Sequence, residues 1–507
     1  MSEGMLERLA VVRNGRAVAR ASVPVLDAEE FRAALLESVE DKMRVVALFG
    51  AAAGGGVKVY LVLADDQAGV LLVGATQIGA GGGWRSLTPE CTQVHLFERE
   101  LAEQFGVKLE GHPWNKPVRF APPLAGAGAV AAAAPEIGVM DFYRVEGEEV
   151  HEVAVGPVHA GIIEPGHFRF QCHGEEVFHL EISLGYQHRG VERALMGGPD
   201  RRSVHYAETL AGDTTVGHAT AYCQVVEALG DAPVPARAHS LRGIGLELER
   251  LANHTGDLGA LAGDVGFLPT ASFCGRIRGD YLNMTAVLCG NRFGRGLLRP
   301  GGVRFDVGAK EVADLQKRLK AAERDCAVAI NLLWDSPSVM ARFEETGKVP
   351  TAMAEELGLV GPAARACGLL RDARLNHAAG IYQFSQIPTA SAESGDVFAR
   401  AYVRWLEIQR SLTFLQEQLE ALPGGGIGGT VGALAGGQLA VALVEGWRGE
   451  LCHVALTDEA GRFSRYKVVD PSFHNWTGLA YALRNGQISD FPLCNKSFNL
   501  SYCGHDL

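Results

Sequence analysis

The sequence predicts an α+β domain over residues 1–122, a linker over 123–136, and a mainly α-helical bundle domain with small β elements over 137–507. Three observations carry this reading. Strand-like and helix-like periodicities alternate through the first stretch. From Pro122 to Pro135 the chain is almost wholly Ala, Gly and Pro, which cannot pack a core. Beyond it, apolar residues recur at helical spacing over 205–290, 309–333 and 397–422.

Taken in order, 6–12 and 17–23 predict a hairpin or a pair of strands. Residues 28–40 predict a helix with Phe31, Ala34, Leu35 and Val39 on one face. Residues 44–50, 57–64 and 70–74 predict strands. Then come His95-Leu-Phe-Glu-Arg-Glu-Leu-Ala-Glu-Gln-Phe-Gly106, an amphipathic helix with a charged first turn, and Gly111-His-Pro-Trp-Asn-Lys-Pro117. In the second unit, 168–172 and 177–182 alternate around Gly174 and predict a β-hairpin. Leu241, Ile244, Leu248 and Leu251 form a helical stripe, with Arg242, Glu247, Glu249 and Arg250 off it. Strands return over 451–456 and 465–469.

A hydrophobic fraction of 47% with 21% charged residues describes a globular chain with a sizeable core. A net charge of −12 argues against nucleic acid as a partner. The ten cysteines stand apart, with no C-x-x-C pair and no signal peptide, which predicts reduced thiols in a cytosolic setting. The uncharged run 422–444 is long enough to span a bilayer but is crowded with glycine. A glycine-rich loop feeding a strand at 438–444 accounts for it better, so no transmembrane segment is expected.

The stretch Glu208-Thr-Leu-Ala-Gly-Asp-Thr-Thr-Val-Gly-His-Ala-Thr-Ala-Tyr-Cys223 holds the centre of the functional reading. It is a helix start among small residues, placed where a C-x-x-C would present thiolates to a soft metal. Ala211 and Thr214 stand where those thiols would be, flanking Gly212 and followed by His218. His159 and His167 flank a predicted turn, consistent with structural histidines or a proton-transfer pair. His188 and Arg189 with Glu192 suggest a buried ion pair. Arg365, Asp372 and Arg374 suggest a salt-bridge network or the wall of a cavity. Cys494, Cys503 and His505 match no standard zinc spacing. Gly243-Ile-Gly245 and the glycines of 424–429 are not a G-x-G-x-x-G between strand and helix, which excludes dinucleotide binding.

Several stretches, in order, carry a family resemblance. The E-R-E, F-G and G-H-P run of 98–113 resembles the cofactor-free peripheral accessory subunit of respiratory complex I, and the N-terminal domain of group 4 membrane-bound [NiFe]-hydrogenase large subunits. The second unit resembles the hydrogenase large subunit and the quinone-site subunit of complex I, which share one fold. Its matching stretches are Gly156-Pro-Val-His159, His188-Arg-Gly-Val-Glu192, Glu247-Leu-Glu-Arg-Leu251, and Arg365 through Gly368 to Asp372-Ala-Arg374, with Cys367 in a serine's place. Leu422-Pro-Gly424 and Glu445 with Arg448-Gly-Glu450 follow. Together they cover nearly the whole chain.

The departures set the expected chemistry. In the hydrogenases two C-x-x-C pairs bind nickel and iron. Here their places fall at Ala211 and Thr214, and at about Ser501 and Gly504, and neither Ala, Gly nor a neutral hydroxyl is a good ligand for a soft metal. A sequence ending at Leu507, without the peptide often removed after nickel insertion, fits a protein that receives none. The quinone-contacting tyrosine of complex I falls at Gly212, and a family histidine falls at Ile163. The resemblance thus implies a fused hydrophilic subunit on the cytoplasmic side of the membrane, with no metal centre of its own. It would be partnered by a small iron–sulfur subunit that holds iron–sulfur clusters, a ferredoxin-like subunit and membrane ion-translocating subunits. It would bind a quinone-like acceptor in a vacated cavity, or couple electron transfer to ion translocation. The alternative is a structural scaffold whose relic cavity is filled. The expected cavity is bounded by His159, Ala211, Thr214, Arg365 and Ser501, with Asp372 beside Arg365 and with His167, Gly212, His218, Arg374 and Gly504 as its further residues.

Overall fold

Runs of branched and aromatic residues separated by tight Gly turns build the first sheet. Strands β1 (Ala10–Val12), β2 (Arg16–Ala19) and β3 (Val25–Leu26) precede helix α1 (Ala28–Glu40), and β4 (Arg44–Ala53), β5 (Gly56–Asp65) and β6 (Val70–Ile78) follow. The sheet order is β1-β6-β5-β4, antiparallel, with β3 added parallel to β6. This computed structural model describes residues 8–124, 135–161 and 163–507. Most of the linker expected at 123–136 lies outside the described residues. Helix α1 starts where predicted because Asp27 and Glu30 form a reciprocal capping box. It buries Phe31, Ala34 and Leu35 on the sheet.

Of the two readings for 6–12 and 17–23, a pair of strands forms and a hairpin does not. β1 pairs with β6, whereas β2 pairs antiparallel with β14 (Gln438–Gly446), more than 400 residues away in sequence. Gly15, with φ +69°, turns the chain between the two sheets. One apolar core therefore contains residues of both units, with Leu9, Val59 and Leu72 meeting Leu439, Val441 and Val454.

Strands β7 (Gly83–Arg85) and β8 (Lys108–Glu110) pair in parallel around helix α2 (His95–Phe105). The E-R-E motif at the start of α2 works as a bolt. Glu98, fully buried, accepts from Trp84 Nε1, Ser86 Oγ, Leu87 N and Thr88 Oγ1, all at 2.6–2.7 Å. Glu100 accepts from Lys467 Nζ at 2.6 Å and pairs with Arg119. Arg99 donates to the carbonyls of Lys116 and Pro117, which fixes the G-H-P turn.

The hairpin predicted around Gly174 is β10 (His167–His173) with β11 (Glu176–Ser183), extended by β9 (Val150–Val155). Short helices α3 (Val191–Leu195) and α4 (Ser203–Glu208) lead to α5 (Thr215–Leu229), α6 (Ala236–Asp264) and α7 (Leu268–Cys289). A small ribbon, β12 (Leu298–Arg299) with β13 (Gly302–Val303), precedes α8 (Ala309–Trp334). Short helices α9 (Pro337–Phe343), α10 (Thr351–Glu356), α11 (Gly361–Arg365) and α12 (Ala373–Asn376) lead to α13 (Val397–Glu420). Helix α6 is central, packing on α7, α13 and α5. The glycine-rich run after Leu422 is a loop that feeds β14, as the sequence implies. Strand β15 (Gly449–Thr457) and β16 (Phe463–Val469) complete the sheet β16-β15-β14-β2. Helices α14 (Pro471–Ala482), α15 (Phe491–Phe498) and α16 (Tyr502–Asp506) close the chain. Among the described residues no helix is long and apolar enough to cross a membrane.

Candidate functional site

The loop between α4 and α5 and the C-terminal turn before α16 come together, as a shared site requires. Ala211, Thr214, His218 and Ser501 are each no more than 1% exposed. The Thr214 side chain does not face an empty site. Arg448, at the β14–β15 turn, donates from Nη1 to Asp213 Oδ1 at 2.6 Å, from Nη2 to Asp213 Oδ2 at 2.7 Å, and from Nη1 to Thr214 Oγ1 at 3.3 Å. Its Nε donates to the Asn499 carbonyl at 2.5 Å, and its guanidinium lies 3.9 Å over the Trp447 ring. Trp447 Nε1 in turn donates to the Asp213 carbonyl. Burial alone would raise the Asp213 carboxyl; the Arg448 guanidinium and its hydrogen bonds more than offset this and hold it below the usual carboxylate range.

On the C-terminal side, Ser501 Oγ accepts from Gly504 N and caps α16, while Ser501 N donates to Ser472 Oγ. Asp470, capping α14, accepts from Ser472 N and lies 3.2 Å from His218 Nε2. The opposite ring nitrogen of His218 is 3.0 Å from His453 Nε2, and His453 Nδ1 is 2.9 Å from the Tyr466 hydroxyl. Burial holds His453 far below the ordinary histidine range, so it is neutral. Glu249 accepts from the N–H groups of Val216 and Gly217 at the start of α5. Burial pushes its carboxyl up to about 8, against the pull of those two donors.

These residues do not fit a nickel–iron cluster. A guanidinium cation sits against one of the four positions, and two others are Ala and Ser. A Cβ at Gly504 would lie 2.6 Å from Asp470 Oδ2 and 2.9 Å from Ser501 Oγ, so even the stem of a cysteine collides there. Beside Gly212 no atom lies within 4 Å of an added Cβ.

Arg365, Asp372 and Arg374 belong elsewhere, and the expectation that they line an opening with Ala211 is corrected by their surroundings. They lie in a buried charge cluster with residues of α6, α13 and β14. Arg365 Nη2 donates to Glu407 Oε1 at 2.6 Å and its Nη1 to Glu445 Oε1 at 2.7 Å. Arg374 pairs with Asp372 and reaches Glu247 at 3.3 Å. Arg250 pairs with Glu247 and donates to the carbonyls of Glu445 and Gly446. His254 Nε2 lies 2.8 Å from Glu407. Every one of these side chains is at most 3% exposed.

The balance of this cluster is informative. Four carboxylates, Glu247, Asp372, Glu407 and Glu445, face three guanidiniums, those of Arg250, Arg365 and Arg374. Excess negative charge in a dry site is removed by protonation. Burial raises the Glu445 carboxyl to about 7 against the pull of Arg365, whereas Glu247 is held down to about 2, burial's upward push being overcome by Arg250 and Arg374. The turn Gly446-Trp447-Arg448-Gly449 joins this cluster to Asp213, because Glu445 immediately precedes it, Arg448 is its third residue and the Trp447 ring stands 6.1 Å from that of His254.

His159 sits in the half-buried loop before β10 and His167 at the first position of β10, on the carbonyls of Gly166 and Gly156. That loop leans on α16, since a Cβ at Gly166 would meet the Tyr502 ring. Glu192 does not pair with Arg189. It pairs with Arg465 at 2.8 Å and Lys467 at 3.1 Å, while Arg189 donates to the carbonyls of Thr209, Leu210 and Cys503. Two cationic residues on one face of β16 outcompete a sequence neighbour on the next turn. Burial pushes the Cys494 thiol up to about 11 and that of Cys503 to about 12. Among the described residues no three His, Cys, Asp or Glu side chains converge to hold a metal. Sequence reasoning missed Asp213, Trp447, His453, Asp470 and Glu407, whose meeting depends on long-range packing. Glu445 and Arg448 were visible as a motif, without a role.

Residues 264–435 match the family described as respiratory-chain NADH dehydrogenase, 49 Kd subunit. The chain is 30% identical over 353 residues to the carbon monoxide-induced hydrogenase of Rhodospirillum rubrum, covering 69% of this chain and 97% of that protein. It is 29% identical to formate hydrogenlyase subunit 5 of Escherichia coli, covering 71% of this chain and 64% of the relative. It is also 29% identical to NADH-quinone oxidoreductase subunit 4 of Thermus thermophilus, covering 68% and 90%. On these similarities the chain belongs to the family of the respiratory-chain NADH dehydrogenase 49 kDa subunit and the related hydrogenase large subunits.

Proposed function

We propose that this chain is a hydrophilic subunit of a complex I-related membrane oxidoreductase complex that lacks a nickel–iron centre and couples electron transfer in its partners to ion translocation. Its relatives include formate hydrogenlyase and NADH-quinone oxidoreductase subunits. In this reading the clusters reside in a small iron–sulfur subunit and a ferredoxin-like subunit, and the chain sits peripherally on the cytoplasmic side of the membrane arm. One observation carries the coupling role. A buried cluster of four carboxylates and three guanidiniums, Glu445 among them, is linked through the Gly446–Gly449 turn to the Arg448–Asp213 pair at the site where relatives would place their chemistry. A charge change near Asp213 alters the field at Glu445 and shifts its proton occupancy near neutral pH.

The coupling reading is favoured over a quinone-like acceptor at Thr214 because Arg448 occupies that place. It is favoured over a plain scaffold because an inert core gains nothing from an unbalanced buried carboxylate. The test is Glu445→Gln in the intact complex. Electron transfer should persist while ion translocation per electron falls severalfold. Unchanged translocation would return the chain to the scaffold reading.

A further inference from the structure

A cavity of about 360 Å³ lies between α2 and α14, with His505 of α16 on its wall, and is lined by neither Asp213 nor Arg448. Its size falls in the range of small-molecule pockets. Its walls come from both units: Leu96 and Arg99 of α2, Leu180 of β11, and Trp476, Ala480 and Arg484 at or just beyond α14. Its lining mixes apolar side chains with several donors and two carboxylates, Glu181 and Glu356.

Three donor groups on this wall have no carboxylate partner among the described residues. Trp476 is 3% exposed, lines the cavity, and its indole N–H has no hydrogen-bond partner. Buried N–H groups in proteins are almost always paired, so an orphan beside a cavity points to a missing acceptor. Arg99 uses Nε and Nη2 on backbone carbonyls, and no carboxylate among the described residues forms an ion pair with it. Burial lowers its guanidinium to about 10, against the upward pull of Glu103 and Glu181. Arg484 stacks on Tyr481 and likewise has no ion-pair partner among the described residues. Of the two carboxylates on the wall, Glu181 pairs with Lys116 at 2.6 Å and accepts from Tyr143 N, and Glu356 accepts from Thr92 Oγ1 at 3.3 Å.

From this juxtaposition we infer that the cavity binds an amphipathic monoanion, whose carboxylate meets Arg99, Arg484 and the Trp476 N–H while its apolar body fills the space beside Leu96 and Leu180. The same chemistry is offered by a free acyl chain and by a planar aromatic acid.

The test uses the purified full chain and the complex that contains it, titrated calorimetrically with dodecanoate, with 1-naphthoate and with dodecanol. One site per chain is expected, at least tenfold tighter for an anion than for dodecanol. Preference between dodecanoate and 1-naphthoate identifies the source. Arg484 is exposed, so Arg484→Gln should fold and weaken the anion about tenfold. Ala480→Phe should abolish binding by filling the cavity. Failure of both anions to bind, dodecanol binding as tightly as dodecanoate, or an unchanged dissociation constant in Arg484→Gln would each overturn the inference.

Discussion

Replacing Arg448 by Met removes the guanidinium and keeps most of the apolar stem against Trp447. The guanidinium makes a bidentate contact to Asp213 at 2.6 and 2.7 Å, donates to the Asn499 carbonyl at 2.5 Å and stacks 3.9 Å over Trp447. Stranding one member of a buried ion pair costs about 3–5 kcal/mol. Asp213 keeps 34% of its side-chain surface, so water recovers part of that loss. The orphaned Asn499 carbonyl adds about 1 kcal/mol. We expect a net destabilisation of about 3 kcal/mol, a large share of a typical stability of about 5–15 kcal/mol. Urea unfolding of the full chain measures it. The double variant with Asp213→Asn should cost less than the sum of the singles by about 2 kcal/mol, because the stranded charge is gone.

The pH dependence supplies a second reading of the same pair. The folded-state pKa of Asp213 lies below its unfolded value of about 3.9. Its contribution is therefore complete above about pH 4 and lost as pH falls through the folded value. The gap between wild type and Arg448→Met should be flat at pH 5–8 and close in acid. A cost below about 1 kcal/mol, or strict additivity with Asp213→Asn, would refute the view that Arg448 fills this site.

Other outcomes follow from the same geometry. Glu445 has a folded pKa of about 7, above its unfolded value of about 4.3, so wild-type stability should fall as pH rises between them, by at most about 1.4 kcal/mol per unit. In Glu445→Gln that slope should vanish, and equal slopes in urea titrations would contradict the assignment. Elemental analysis of the pure protein should find no stoichiometric nickel; one nickel per chain would end the metal-free reading. Ala211 is fully buried, so Ala211→Phe should lower stability by about 1–3 kcal/mol through overpacking. It therefore acts on folding and not selectively on electron transfer, and an unshifted unfolding midpoint would show hidden space there. The isolated chain should be released from membranes by salt or carbonate, and resistance to both would argue for insertion.

The sequence alone determined the local elements, because they answer to local rules. Helix α1 begins where Asp27 and Glu30 can cap it, the hairpin of β10 and β11 turns at Gly174, and the amphipathic stripes of α8 and α13 end within two residues of their predicted limits. The absence of thiols at Ala211, Thr214, Ser501 and Gly504 was likewise plain in the sequence. Tertiary structure decided what stands in their place. Glu247, Glu249 and Arg250 read as the polar side of a helical stripe, yet α6 is buried all round and its charges face Arg374, Val216 and Glu407 from distant segments. Periodicity shows which residues share a face, not whether that face meets water or opposite charge. Strand β2 joining β14, and Arg448 reaching Asp213 across 235 positions, are set by long-range packing that no local pattern encodes.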